Sequence, residues 1–163
     1  MIENLFKYHK IKEGNVLEPS AGNGNFVKVI NDKSNNRITA LEIRKEEYDN
    51  LNQYADEVII DDFLKWKPNK KYKTIIGNPP YTYALEFIEK CFEISDHDTE
   101  IVMLLRTAFL ESKKRYDFWQ RHPVSKLYVL SQRPSFLQNG KSDATSYSWF
   151  IWDGSKKQEI KVI

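Results

Sequence analysis

"TIIGNPPYTYALEFIEK", residues 74–90, changes character twice. Thr74, Ile75 and Ile76 form a short β-branched apolar run, the composition of a buried strand. Gly77 ends it. Pro79 and Pro80 cannot donate to a sheet ladder and fix their own φ angles. Asn78 precedes a proline and is pushed toward an extended conformation. Apolar residues then recur at 84, 85, 87, 88, 91 and 92, which predicts a helix over 84–94. The segment reads as strand, stiff loop and helix, with one amide (Asn78) and one ring (Tyr81) at the strand's carboxyl end. Such a loop is either a convenient turn or a rigid cradle for a substrate.

The same alternation extends outward. Strands are predicted at 15–18, 37–43, 57–60, 74–76, 101–105, 124–130 and 147–152, and helices at 25–30, 45–53, 84–94 and 113–121. Between the last two strands, "SQRPSFLQNGKSDATS" carries turn chemistry and no helical period. No internal repeat or linker interrupts the pattern. The reading predicts an α/β fold: a Rossmann-like, doubly wound, mostly parallel seven-stranded sheet with a terminal antiparallel strand pair. Residues 1–163 are expected to form one domain.

Composition narrows the function classes. Among 163 residues, 25 basic against 23 acidic side chains leave a net charge of +2, which neither announces a nucleic-acid binder nor excludes a local basic patch. One cysteine, Cys91, makes no internal disulfide and is too little for a structural zinc site. His9, His97 and His122 are scattered, so no metal is expected. No apolar run approaches the roughly 18 residues of a membrane span. The start, "MIENLFKYHKIKEG", lacks the apolar centre of a secretory signal. The expectation is a cytoplasmic protein with no membrane partner.

"NVLEPSAGNGNF" follows a predicted strand and opens a predicted helix. Gly22 and Gly24 allow positive φ and close approach of a ligand. Alone, such a pair is either a tight turn or a ligand loop. Glu42 ends the next strand, 42 − 22 = 20 residues after Gly22, where an acid accepts hydrogen bonds from a ribose or else stands as a surface carboxylate. The loop is not G-x-G-x-x-G and no lysine follows it, so the ligand needs a ribose and no phosphates. "IIDDFLKW" ends the third strand with Asp62 and Phe63, an acid and a ring suited to an adenine, or a loop acid and a core phenylalanine.

Together "LEPSAGNG", "LEI", "DDFL" and "GNPPY", in that order, resemble the class I S-adenosylmethionine-dependent methyltransferases. More narrowly they resemble the adenine-amino (N6) DNA methyltransferases with an Asn-Pro-Pro-Tyr motif, in a minimal phage-type form without a target-recognition domain. The resemblance covers about residues 15–152. It implies S-adenosyl-L-methionine as cofactor. It places Glu18, Ser20, Gly22 and Gly24 on the methionine part, Glu42 on the ribose, and Ile43, Asp62 and Phe63 around the adenine. Asn78, Pro79, Pro80 and Tyr81 become the catalytic cradle, with Asn78 also lining the cofactor site. Tyr81, Arg106 and Phe136 become contacts to the target base or its phosphates.

The cradle has a chemical rationale. A ring amine is a poor nucleophile because its lone pair is delocalised. Acceptors at the Asn78 side chain and the Pro79 carbonyl favour a more pyramidal nitrogen, and two prolines keep their angles from wandering. The basic and aromatic stretch "ESKKRYDFWQR", residues 111–121, is either a solvated helix face or a nucleic-acid contact, and Arg133 and Lys141 are further phosphate candidates. Only 11 residues follow Trp152 (163 − 152), so the expectation is an enzyme that is promiscuous, or one read by loops such as 106–114 and 132–146, or one given specificity by a partner protein. The expected partner is nucleic acid, DNA before RNA. The same cradle also suits RNA adenine, a protein glutamine, or a non-catalytic subunit of a larger methyltransferase.

Overall fold

Strand, helix and parallel strand follow one another through the first two thirds of the chain. In the computed structural model, which describes residues 2–132 and 145–163, these units wind into one eight-stranded sheet. The strands are β1 (Asn15–Glu18), β2 (Arg37–Glu42), β3 (Glu57–Ile60), β4 (Thr74–Gly77), β5 (Glu100–Arg106), β6 (Lys126–Val129), β7 (Tyr147–Trp152) and β8 (Glu159–Val162). Their spatial order is β3-β2-β1-β4-β5-β7-β6-β8. The first five are mutually parallel, β7 is antiparallel to both β5 and β6, and β8 lies parallel to β6. The helices are α1 (Ile2–Leu5), α2 (Asn25–Lys33), α3 (Tyr48–Leu51), α4 (Ala84–Ile94) and α5 (Tyr116–Arg121).

The expected class and parallel order hold, and the expected strand count is corrected from seven to eight. "EIKV" at 159–162 is the added strand. It pairs on one side only, so its outward Ile160 and Val162 stay 77% and 67% exposed. A strand with one unpaired edge lacks the continuous apolar run that marks its buried neighbours. The expected helices at 45–53 and 113–121 are each split, a 3₁₀ turn (Lys45–Glu47, Lys113–Arg115) leading into α3 and α5.

Strand periodicity sorts the core into two layers. Val102 and Leu104 of β5 face one layer with Val16, Ile38, Ile76 and the α2 residues Phe26, Val27 and Ile30. Ile101, Met103 and Leu105 face the other, with Leu17, Ile75 and the α4 residues Phe87, Ile88 and Cys91. Cys91 is fully buried, and burial pushes its thiol far up from the usual range, so it is no nucleophile.

One polar cluster ties the amino-terminal segment beneath this sheet. Glu100, 1% exposed at the start of β5, accepts from the Thr74 hydroxyl (2.8 Å) and the Lys12 amide, and its Oε2 lies 3.0 Å from the buried His9 ring. Truncating one partner of a buried ionic network leaves the others desolvated, at a cost of about 3–5 kcal/mol. Glu100→Ala is therefore expected to lower the thermal midpoint by about 10 °C, measured by calorimetry, while leaving the opposite end of the strands unchanged.

Candidate active site at the switch point of the sheet

The strand order reverses between β1 and β4, because the chain runs outward from β1 to β3 and then returns to β4 on its other side. Ligands of doubly wound sheets bind outside the carboxyl ends of the strands at such a point. A cavity of about 650 Å³ opens there, lined among others by Ser20, Glu42, Ile43, Asp62, Phe63 and Asn78. A second cavity of about 630 Å³ sits at the other end of β5 and β7, beside His97, His122 and Trp152. Volume does not separate them, but chemistry does: of the residues the sequence motifs single out, Ser20, Glu42, Ile43, Asp62, Phe63, Asn78 and Pro80 line the first, whereas Glu18, Gly22, Gly24, Pro79, Tyr81 and Arg106 do not.

Close backbone approach makes the first cavity. A Cβ on Gly77 would stand 3.2 Å from Pro19 Cδ and 3.8 Å from Glu18 Cγ, so the end of β4 lies close against the exit of β1 and a larger residue would have to displace the Pro19 ring by a few tenths of an ångström. The Ser20 hydroxyl then reaches across to donate to the Asn78 carbonyl at 3.3 Å. Gly22 and Gly24 adopt φ of 57° and 79°, the left-handed region that glycine enters freely. They turn the chain from β1 into α2.

Two carboxylates flank this loop in different states. Glu42 accepts from the Gly22 amide at 2.7 Å and from the Arg44 amide and Nε at 3.0 and 2.9 Å. A carboxylate offers about four acceptor positions, so room remains for a hydroxyl beside these three bonds. Glu18 is 2% exposed and its Oε2 has no partner. Burial first, and then the charge of Glu42, hold its pKa well above the usual 4.5, against a hydrogen bond from the Val27 amide. An orphaned buried acceptor awaits a donor, and a cationic ammonium suits it best.

The outer wall is mixed. Ile43 is 66% exposed at the cavity mouth, a flat apolar surface for a ring. Asp62 caps its own turn through Leu64 N at 3.1 Å and pairs with Lys65 at 3.4 Å. Phe63 is 2% exposed and packs on Phe87 at 5.1 Å between centroids, so it is core and cavity wall at once. Arg44, Leu64, Tyr83 and Phe87 also line the cavity and were not singled out from sequence. Only Arg44 carried a signal, as a cation two residues after the acid that ends β2.

On the proline loop after β4, Asn78 Oδ1 is buried and has no hydrogen-bond partner among the described residues. Tyr81 packs on Tyr147 with ring centroids 5.5 Å apart, and the Arg106 guanidinium lies over the Tyr81 ring at 5.1 Å. Burial, followed by the influence of Tyr147, pushes the Tyr81 hydroxyl well up, so it stays protonated. A small cavity of about 170 Å³ adjoins Tyr81, Arg106, Phe109 and Arg115. Arg115 donates to the Phe109 carbonyl at 2.8 Å and to those of Ala108 and Glu111, bracing the loop after β5. Within 111–121, Arg115 and Trp119 thus serve the fold, Trp119 stacking on Trp152, while Lys113 and Lys114 remain exposed. Phe136, Arg133 and Lys141 lie outside the described residues. No helix among the described residues is long and apolar enough to cross a membrane, and no group of three metal-ligating side chains forms among them.

Residues 2–133 match the family model described as ribosomal RNA adenine dimethylase. The chain is 36% identical over 124 residues to the type II methyltransferase M.CvrRI of Paramecium bursaria Chlorella virus XZ-6E, covering 61% of this chain and 32% of that protein. It is 33% identical over 92 residues to the ribosomal RNA small subunit methyltransferase A of Flavobacterium johnsoniae, covering 52% of this chain and 35% of that protein. The chain thus spans about a third of each of these curated relatives. In fold it is similar to the 23S rRNA methyltransferase ErmE, with a TM-score of 0.67 at 15% identity over 96% of this chain and 68% of that one.

The strained carboxylate gives a prediction. Since Glu18 has a raised folded pKa, its ionisation opposes folding as pH rises from 4.5 through the folded value, and the opposition vanishes below that window. Glu18→Gln should therefore raise the thermal midpoint at pH 8 and leave it unchanged at pH 4, while weakening cofactor binding about tenfold by titration calorimetry.

Proposed function

Because the chain belongs to the ribosomal RNA adenine dimethylase family, a family of S-adenosylmethionine-dependent methyltransferases, we propose that it methylates the exocyclic N6 amine of adenine, with DNA as the polymer. The observation that carries the reading is Asn78 Oδ1, a buried acceptor without a partner on a loop stiffened by two prolines. Leaving such an atom unsatisfied costs about 1–3 kcal/mol, which an amine N–H restores on binding. The DNA choice rests on the Asn-Pro-Pro-Tyr form of the cradle and on the likeness to a type II methyltransferase. The family's own description supports RNA as the rival polymer.

The cofactor cavity fits S-adenosylmethionine by its chemistry. Glu42 would hold the ribose hydroxyls, Ile43 and the Asp62–Phe63 turn the adenine, and Glu18 with the glycine loop the methionine end. Bound there, the cofactor supplies an electrophilic methyl on a sulfonium whose departure leaves a neutral thioether. The protein's share is placement. Asn78 Oδ1 and the adjacent Pro79 carbonyl would accept the two amine N–H bonds and aim the nitrogen lone pair along the transfer line. The amine nitrogen would gain its carbon–nitrogen bond as the thioether leaves and, briefly cationic, would then release one proton to solvent. Both acceptors stabilise that transient positive charge. Neither Asn78 nor the protonated Tyr81 is a base, so the residues act by geometry and dipoles. Tyr81 would stack on a base turned out of its helix, and Arg106, which lies over the Tyr81 ring, and the exposed Lys113 and Lys114 would be candidates to meet phosphates.

The test is methyl transfer from labelled S-adenosylmethionine to unmethylated DNA, total RNA and protein in parallel, with nucleosides resolved by mass spectrometry. Label on N6 of DNA adenine is the expected result. Label confined to RNA or protein overturns the polymer, and no label in any arm, with cofactor bound, favours a subunit that awaits a partner. Asn78→Ala should cut transfer by about 10²–10³-fold, the scale for one lost transition-state contact, with cofactor affinity changed less than about threefold. Joint loss of binding and activity would instead make Asn78 structural.

A further inference from the structure

β8 ends the sheet, and among the described residues no strand pairs with its outer side. The Glu159 and Ile163 amides donate inward, to the Ser125 and Val129 carbonyls. By the alternation of a strand, the main-chain groups of Ile160 and Val162 therefore point outward. The side chains of these two residues share one face, in register with Leu127 and Val129, and both stay exposed. Glu159 and Lys161 share the other face, where the Lys161 ammonium lies over the Tyr8 ring at 4.9 Å. Free edges are usually blunted by a proline, a bulge or a repelling charge. β8 has no proline, its register with β6 runs unbroken from Glu159 to Val162, and its two charges are of opposite sign.

That pattern is complementary to itself. When two identical strands pair antiparallel about a two-fold axis, residues directly opposite share a face, so the axis passes beside a single residue. Centred on Glu159 or on Lys161, the pairing sets like charges against each other, which is unfavourable. Centred on Val162, it leaves Lys161 opposite the apolar Ile163. Centred on Ile160, it sets Ile160 against its own copy and Glu159 of each chain against the other chain's Lys161, twice. Of these registers, the last matches apolar with apolar on one face and opposite charges on the other. It also exchanges the outward main-chain groups of Ile160, the arrangement of a hydrogen-bonded pair.

We propose that β8 is a self-association edge, through which two copies of this chain pair antiparallel about Ile160 into one continuous sheet. β8 runs in the same direction as β5, since β7 is antiparallel to both β5 and β6 and β8 is parallel to β6. The two-fold axis reverses that direction, so the carboxyl-end edges of the two copies face opposite ways and neither cofactor cavity is covered. A short edge strand buries little. The pair is a weak one, below the roughly 1,200 Å² of a standard interface, with a Kd on the order of 10 μM.

Sedimentation equilibrium of the full chain between about 1 and 100 μM reads the association without any methyl transfer. A monomer–dimer equilibrium is the expected result. Lys161→Glu and Glu159→Lys each set like charges opposite one another twice, and each should weaken the dimer about tenfold. An equimolar mixture of the two variants should recover the parent association, because every charge then meets its opposite. Recovery on mixing also shows that both variants are folded. The double exchange Glu159→Lys with Lys161→Glu should dimerise like the parent for the same reason. A parent that stays monomeric over the whole range overturns the proposal and leaves the edge to a strand of different sequence. A dimer that neither variant weakens, or a loss that mixing does not recover, overturns it equally.

Discussion

The site depends on two chain exits meeting at the point where the sheet changes direction. β1 and β4 are neighbours in space although β2 and β3 lie between them in sequence. Their carboxyl ends come together as paired parallel strands, and Gly77 lets β4 lie close against Pro19. The contact brings the glycine loop of β1 beside the proline loop of β4, joined by Ser20 and the Asn78 carbonyl. In the proposed reaction, a cofactor on the first loop would face an amine on the second. Parallel strands make this arrangement natural, because every crossover returns a carboxyl end to the same edge.

At that edge the protein tolerates polar groups that a core would reject. Glu18 Oε2 and Asn78 Oδ1 are both buried without partners. Each opposes folding by the free energy of a lost hydration shell, and each is positioned to regain it from a ligand. The opposite end of the sheet shows the contrast. There Glu100 is as buried as Glu18, yet it is surrounded by His9, Thr74 and Lys12. The same residue type is fully partnered at one end and left with an open acceptor at the other.

The antiparallel β7 contributes more than closure of the sheet. Inserted between β5 and β6, it sets Tyr147 beside Arg106 at the functional edge and fills both core layers, Trp149 and Ile151 on one side and Phe150 and Trp152 on the other. Its residues are buried, and the Tyr147 ring packs on Tyr81 at 5.5 Å, so this strand forms one wall behind the proline loop. The loop after β5 is braced separately, by Arg115 on three carbonyls, so both walls around Tyr81 are anchored.

Much of this was legible in the sequence because it is local. β-branched runs, a helical stripe at 84–94 and the order of glycine, acid and proline motifs specify elements and their succession, and these follow from backbone sterics within a few residues. The expected cavity residues Ser20, Glu42, Ile43, Asp62, Phe63 and Asn78 do converge, since parallel topology sends strand ends to one edge. β8 escaped because an edge strand buries little and its alternation is only four residues long. The occupation of Glu42 by Arg44, the double duty of Phe63 and the link from Tyr147 to Tyr81 were decided by the tertiary structure alone. Tyr81 and Tyr147 are 66 residues apart (147 − 81), and no periodicity spans that distance. Sequence determined which groups reach the edge; packing determined which of their hydrogen-bonding positions are filled, because that depends on distances that only the folded chain sets.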